Sequence, residues 1–374
     1  MLNNNQLKQN NVLHSCYIIF LLSFVIRLFS LGIFRSENIY FTLLLPSFLM
    51  MMSVFIYVIN KKVTYLALIS FVFMSVFVLM QPEIHRFTFL MLFIILFILR
   101  DCNFKFVINV LLFISVLSVF LIFILVSTGI VENRAFPFQG RYVYALGFGN
   151  PNTAPHFISA ILVLATYAIK LSTKKELLLP FIFFAGFVVC LLFVATGTRS
   201  IIVAWILFCS TIFFKKIFIN KITIRIIRLF PLIALGLFYI MAMNYTSTVG
   251  ILDSFLSYRI RAFKIYLAYF SLQDKIFGNA HVAPLTPGGY SYAIANSFNV
   301  IFLSNGIIIF LIFFHFYRKS IDYYFFNKDY FSLGVLIFFV FYGVTEALLI
   351  GITFFPNLLF WILLSRAKPV QKKS

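Results

Sequence analysis

The stretch FVINVLLFISVLSVFLIFILVST, residues 106–128, decides the fold class, because it runs 23 residues without one charged side chain. As helix, at about 1.5 Å per residue, it is long enough to cross a hydrocarbon core of about 30 Å. A membrane β-strand would instead alternate polar and apolar side chains over about 10 positions. Similar runs recur along the chain, in which 63% of the 374 residues are apolar and only 11% charged. Almost every residue must therefore face lipid or another apolar helix. The reading is an all-α polytopic membrane protein forming one domain over 1–374.

Spans are expected at about 16–34, 39–59, 63–80, 84–99, 106–128, 154–170, 177–195, 200–214, 229–243, 293–317, 331–349 and 352–365, which makes about twelve, with a range of about ten to twelve. The first fifteen residues, MLNNNQLKQNNVLHS, read as a polar tail ahead of a retained first span rather than as a cleaved signal. The net charge of +20 does not point to nucleic acid, since the cations are dispersed in short clusters such as Lys61-Lys62, Lys174-Lys175, Lys215-Lys216 and Arg318-Lys319. These clusters are topology signals. With both termini cytoplasmic, twenty Lys and Arg fall inside and nine outside, with Arg27 inside a span. Two long loops, about 129–153 and 244–292, then lie on the outer face. Cys16, Cys102, Cys190 and Cys209 sit in or beside apolar runs without CxxC spacing and read as packing residues.

A membrane protein spends polar loops on binding or chemistry. In the first loop, RYVYALGFGNPNTAPH holds Arg141, Asn150, Asn152 and His156 around the turn signals Gly147, Gly149 and Pro151. The span that follows would direct its N-terminal dipole end outward, a setting for an anion. Arg199 follows the break Thr196-Gly197-Thr198, where a cation so close to hydrocarbon needs an anion, a watery cavity or the headgroups. In the second loop, residues 251–270 have a helical period with an apolar stripe of Leu252, Phe255, Leu256, Ile260, Phe263, Tyr266, Leu267 and Phe270. At about 100° per residue Arg259 falls within that stripe, while Arg261 and Lys264 fall on the polar side. A cation directed inward is expected to meet a buried anion.

Glu346, near the outer end of a span, is a candidate general base, or a partner for Arg27. His281, in the Pro- and Gly-rich stretch GNAHVAPLTPGGY, is another candidate base or a bystander. Asn296 and Asn299 share a helical face and suit sugar hydroxyls or helix contacts. The outer acidic residues Glu37, Glu83, Glu132, Asp253, Asp274 and Glu346 contain no closely spaced pair to hold a divalent cation, so no metal or other cofactor is expected. No Walker A or HExxH sequence occurs.

These motifs in this order, RYVYALGFGNPNTAPH, TGTRS, LSYRIRAFK and NSFNVIFLSNG, resemble the bacterial O-antigen polymerase and ligase superfamily, specifically its Wzy-type polymerases of O-antigen and capsular polysaccharide. The architecture covers essentially the whole chain, and the short motifs a small part of it. Members often carry Asp or His before the Asn of the later motif; here that position is Ala295, which leaves Glu346 or His281 as catalytic base. The resemblance implies a bacterial cytoplasmic-membrane glycosyltransferase that joins oligosaccharide repeat units carried on undecaprenyl diphosphate, donor and acceptor alike. It implies a chain-length regulator and a flippase as partners, besides membrane lipid. Arg141, Arg199 and Arg259 would hold the diphosphate, since guanidinium matches phosphate oxygens bidentately. Asn150, Asn152, His156 and Asn296 would orient sugars or loops. A polysaccharide ligase of the same superfamily and a lipid-oligosaccharide flippase or other transporter are the competing readings.

Overall fold

A computed structural model of the chain describes residues 4–34, 45–60, 102–138, 141–148, 150–216, 220–256, 258–279, 296–346, 349 and 355–367. The helices are α1 (Asn4–Arg27), α2 (Leu45–Asn60), α3 (Phe104–Ser127), α4 (Thr153–Leu171), α5 (Leu178–Thr196), α6 (Ser200–Phe213), α7 (Lys221–Met243), α8 (Ser247–Phe255), α9 (Arg259–Tyr269), α10 (Leu272–Phe277), α11 (Ser297–Phe326), α12 (Tyr330–Thr345) and α13 (Leu358–Arg366). Between α3 and α4 lie two short antiparallel strands, β1 (Ala135–Phe138) and β2 (Arg141–Tyr144). This is an all-α membrane protein: among the described residues six helices are long and apolar enough to cross a bilayer, and α6 and α12 are shorter apolar helices. The expected spans at about 63–80 and 84–99 lie outside the described residues.

Several boundaries differ from expectation for local reasons. The polar N-terminal stretch continues the first helix back to Asn4 instead of forming a separate tail. Asn220 caps α7, its Oδ1 accepting from Ile222 N at 2.9 Å, so the basic stretch before Pro231 is helical too. Helix α11 passes through Arg318 and Lys319 to Phe326, where Asp322 pairs with Arg228 and Tyr317 donates to Ile227 O at 2.9 Å.

The chain divides into two compact units, the first holding the described residues up to 206 and 355–365, the second those of 207–349 and 366–367. In the first unit, α1 packs on α2, with Ser53 Oγ donating to Cys16 O at 2.7 Å. Helix α1 ends at Arg27, which is only 2% exposed, and continues as a π-helix over Leu28–Ile33. Helices α3, α4 and α5 are antiparallel neighbours. Phe104 at the start of α3 meets Tyr167 near the end of α4, ring centroids 5.6 Å apart. That end gathers Lys105, Lys170, Lys174 and Lys175, and the hairpin with the α5–α6 break lies at the other.

In the second unit, α7, α11 and α12 pack together with the later part of α6, where Phe208 meets Phe331 edge-on at 5.5 Å. Arg225, Arg228, Arg318, Lys319 and Lys328 collect at one end of this bundle. Helices α8 to α10, Asn296 and Glu346 occupy the opposite end. There α11 is interrupted at Gly306, whose φ of 78° belongs to the left-handed region. A Cβ at 306 would stand 2.1 Å from the Ile276 carbonyl oxygen, so the absent side chain is what lets the end of α10 close on α11. Asn279 N fills the kink by donating to Leu303 O at 2.8 Å.

Candidate functional site

The first loop is better ordered than its composition suggests. Asn133 Oδ1 accepts from Leu146 N at 2.9 Å, and Leu146 and Gly147 both take positive φ, turning the chain under the hairpin. Arg141 opens β2, its backbone opposite Phe138. A cavity of about 190 Å³ lies between Ile33 and Phe34 of the first unit's π-helix end and Glu132, Arg134 and Phe148 of the loop. Glu132 and Arg134 form an exposed ion pair of 2.8 Å there.

Beyond the hairpin, Asn150 folds the chain onto itself, Oδ1 accepting from Asn152 N at 2.8 Å, which delivers Thr153 as the start of α4. Two side-chain links then tie this loop to the polar break before α6. Thr198 Oγ1 donates to Asn152 Oδ1 at 3.0 Å, and Ser200 Oγ lies 3.3 Å from Nε2 of the buried His156. Gly197, in the left-handed conformation that ends α5, creates the break. Arg199 follows it with an exposed side chain. The structure thus brings Asn152 and His156 onto the TGTRS segment, and the contacts are made by Thr198 and Ser200. Both lay inside a motif read only for its arginine, although hydroxyls at a helix start are the expected partners for loop amides.

The second loop requires a correction. Residues 251–270 are not one helix: α8 ends at Phe255, and Tyr258 takes a φ of 60° before α9 begins. Leu252 is accordingly 47% exposed, while the stripe is buried from α9 on, at Ile260, Phe263, Tyr266, Leu267 and Phe270. The cause is Asp253. Its buried carboxylate accepts from Ile260 N at 2.7 Å, from Arg261 N at 2.9 Å and from Tyr245 Oη at 2.9 Å. A carboxylate on the open amides of a helix start is favoured by hydrogen bonding and dipole together. Partial burial and this hydrogen bond push the Tyr245 phenol above its ordinary value. Lys264 Nζ lies over the Tyr245 ring at 5.2 Å, tying the same corner from the polar face of α9.

So held, Arg259 is the first residue of α9, and its Nη2 donates to Glu346 Oε1 at 2.9 Å. Both side chains are 13% exposed. Among the described residues, the buried Arg259 Nε has no hydrogen-bond partner. Glu346 follows the last turn of α12 in extended conformation, and its carbonyl accepts from Ser297 Oγ at 2.6 Å. That bond sets the ion pair beside the start of α11. There Asn296 Oδ1 caps Phe298 N and Asn299 N, and among the described residues the buried Asn296 Nδ2 and Asn299 Oδ1 have no hydrogen-bond partner. Ser297 thus joins the end of α12, with Glu346 and its partner Arg259, to the start of α11, with Asn296 and Asn299, at the end of the second unit away from its basic residues. His281 lies outside the described residues.

No family model matches this chain. Neither a curated protein nor a solved structure matches it.

Proposed function

We propose that the chain polymerises oligosaccharide repeat units carried on undecaprenyl diphosphate, by metal-independent glycosyl transfer at the outer face of the bacterial cytoplasmic membrane. The observation that carries this reading is the Arg259–Glu346 pair, a cation and a carboxylate in contact, each 13% exposed, at the end of an apolar helical bundle. Such groups are costly there unless a function retains them. The chemistry needs little else. A diphosphate is a good leaving group, so a transferase must neutralise its charge and accept a proton from the attacking hydroxyl. Arg259 serves the first need and Glu346 the second, while Asn296 and Asn299 present amide groups suited to sugar hydroxyls.

The segregation of charge supports the orientation. The end holding Arg225, Arg228, Arg318, Lys319 and Lys328 is assigned to the cytoplasm, which puts the Arg259–Glu346 pair outside. Arg141 and Arg199 are assigned to the diphosphate, and Asn150, Asn152 and His156 to sugar or loop orientation, by the resemblance. The test is chain extension by purified protein in nanodiscs supplied with lipid-linked repeat units. Arg259→Ala abolishes the ladder of products, while Arg261→Ala, whose side chain is exposed and whose backbone alone meets Asp253, leaves it nearly intact. Equal losses in the two variants would defeat the reading of Arg259.

A further inference from the structure

Two carboxylates hold the start of α9 in different ways. Asp253 grips the backbone of the first turn of α9 through Ile260 N and Arg261 N, and its own side chain is fully buried. The Glu346 carboxylate meets the guanidinium, accepting from Nη2 at 2.9 Å. Nε and Nη2 share the edge of a guanidinium that an oxyanion grips with two parallel hydrogen bonds. Here Glu346 engages one half of that edge, and among the described residues Nε on the other half has no hydrogen-bond partner. The backbones on both sides are pinned, that of Glu346 by Tyr342 O at 3.0 Å and by Ser297 Oγ at 2.6 Å.

We infer that the Arg259–Glu346 ion pair is the resting form of an exchange site, in which a phosphate-ester or diphosphate oxyanion takes the Nε–Nη2 edge and displaces the Glu346 carboxylate. The inference rests on the glycosyl-transfer reading and makes Glu346 a base only once the donor is bound. While Arg259 holds it, the carboxylate is engaged by a cation; when the diphosphate replaces it, the carboxylate is released beside the anion it has just yielded to. Like-charge repulsion then drives it away from the diphosphate and toward a proton. In the transfer itself the acceptor hydroxyl oxygen bonds to the donor's anomeric carbon, the bond from that carbon to the diphosphate oxygen breaks, the electron pair leaves on the diphosphate, and the hydroxyl proton passes to Glu346.

An exchanging counter-ion makes a prediction that a structural ion pair does not. Glu346→Gln removes the competitor for Arg259 and the base together. Undecaprenyl diphosphate without sugar, titrated onto the full chain in phosphatidylcholine nanodiscs, binds at least about fivefold tighter to Glu346→Gln than to the unaltered chain, while extension of lipid-linked repeat units falls about 100-fold or more. Inorganic pyrophosphate competes with it, and phosphatidylglycerol in the nanodisc does not. In the unaltered chain, carbodiimide labelling of Glu346, mapped by mass spectrometry, rises severalfold when undecaprenyl diphosphate is added. Equal or weaker binding by Glu346→Gln, unchanged labelling, or displacement by phosphatidylglycerol alone overturns the exchange. If exchange is seen but the unaltered chain never extends a repeat unit, the glycosyl-transfer reading fails and the exchange site stands. If extension is seen without exchange, the reverse holds.

Discussion

Asp253→Asn is the substitution that most sharply separates local anchoring from global packing. The amide keeps the shape of the carboxylate, and its oxygen can still accept from Ile260 N. Its NH2 then faces the Arg261 N–H that Asp253 Oδ2 accepts at 2.9 Å, donor against donor. The Tyr245 hydroxyl can rotate to accept, but a backbone amide cannot. One buried N–H left without an acceptor costs about 1–3 kcal/mol, and removing the negative charge from the start of α9 adds about 0.3–1 kcal/mol. A central value of about 2–3 kcal/mol raises the local opening equilibrium about 30- to 140-fold. Hydrogen exchange by mass spectrometry in nanodiscs reads this directly: amides of 259–263 exchange faster by that factor, while those in the middle of α3 and α11 do not change. Exchange at 259–263 within threefold of the unaltered chain, or uniform acceleration throughout, would refute the anchoring role.

Tyr245→Phe keeps the ring under Lys264 and removes one hydrogen bond to Asp253, so it opens the same turn by a smaller amount, about 1 kcal/mol, in the same exchange experiment. Thr198→Val removes the donor to Asn152 Oδ1 and accelerates exchange over 150–156 by about tenfold, while α9 is untouched. Gly306→Ala drives a methyl against the Ile276 carbonyl at a positive φ and costs about 3 kcal/mol or more, lowering the melting midpoint in detergent. Gly236→Ala, whose Cβ would meet nothing within 4 Å, leaves the midpoint level or slightly higher.

What the sequence discloses here depends on the range of the force involved. Apolar length is local, so helices α3, α4 and α5 could be read within a few residues of their ends. The cost of a charge in an apolar setting is nearly local as well, which is why Arg259 and Glu346 stood out separately. That they meet is a fact of tertiary structure, because 87 residues separate them. The helical wheel that directed Arg259 inward was drawn over a continuous helix, whereas α8 ends at Phe255 and α9 begins at Arg259. The capping role of Asp253 was hidden for the same reason: the left-handed turn at Tyr258 is what brings the amides of 260 and 261 onto its carboxylate. The hairpin had no periodic signal, since its strands are four residues each and one carries Pro137. Charge misled the boundaries of α7 and α11, where Arg228 and Asp322 neutralise each other within helix rather than marking loops.

The most direct measurement of the central claim is the length distribution of products formed when the purified chain, in the presence of a metal chelator, is given lipid-linked repeat units and no other enzyme. The account predicts a ladder of undecaprenyl-diphosphate-linked products, each one repeat unit longer than the last. Products that never exceed one repeat unit on the lipid carrier would contradict it.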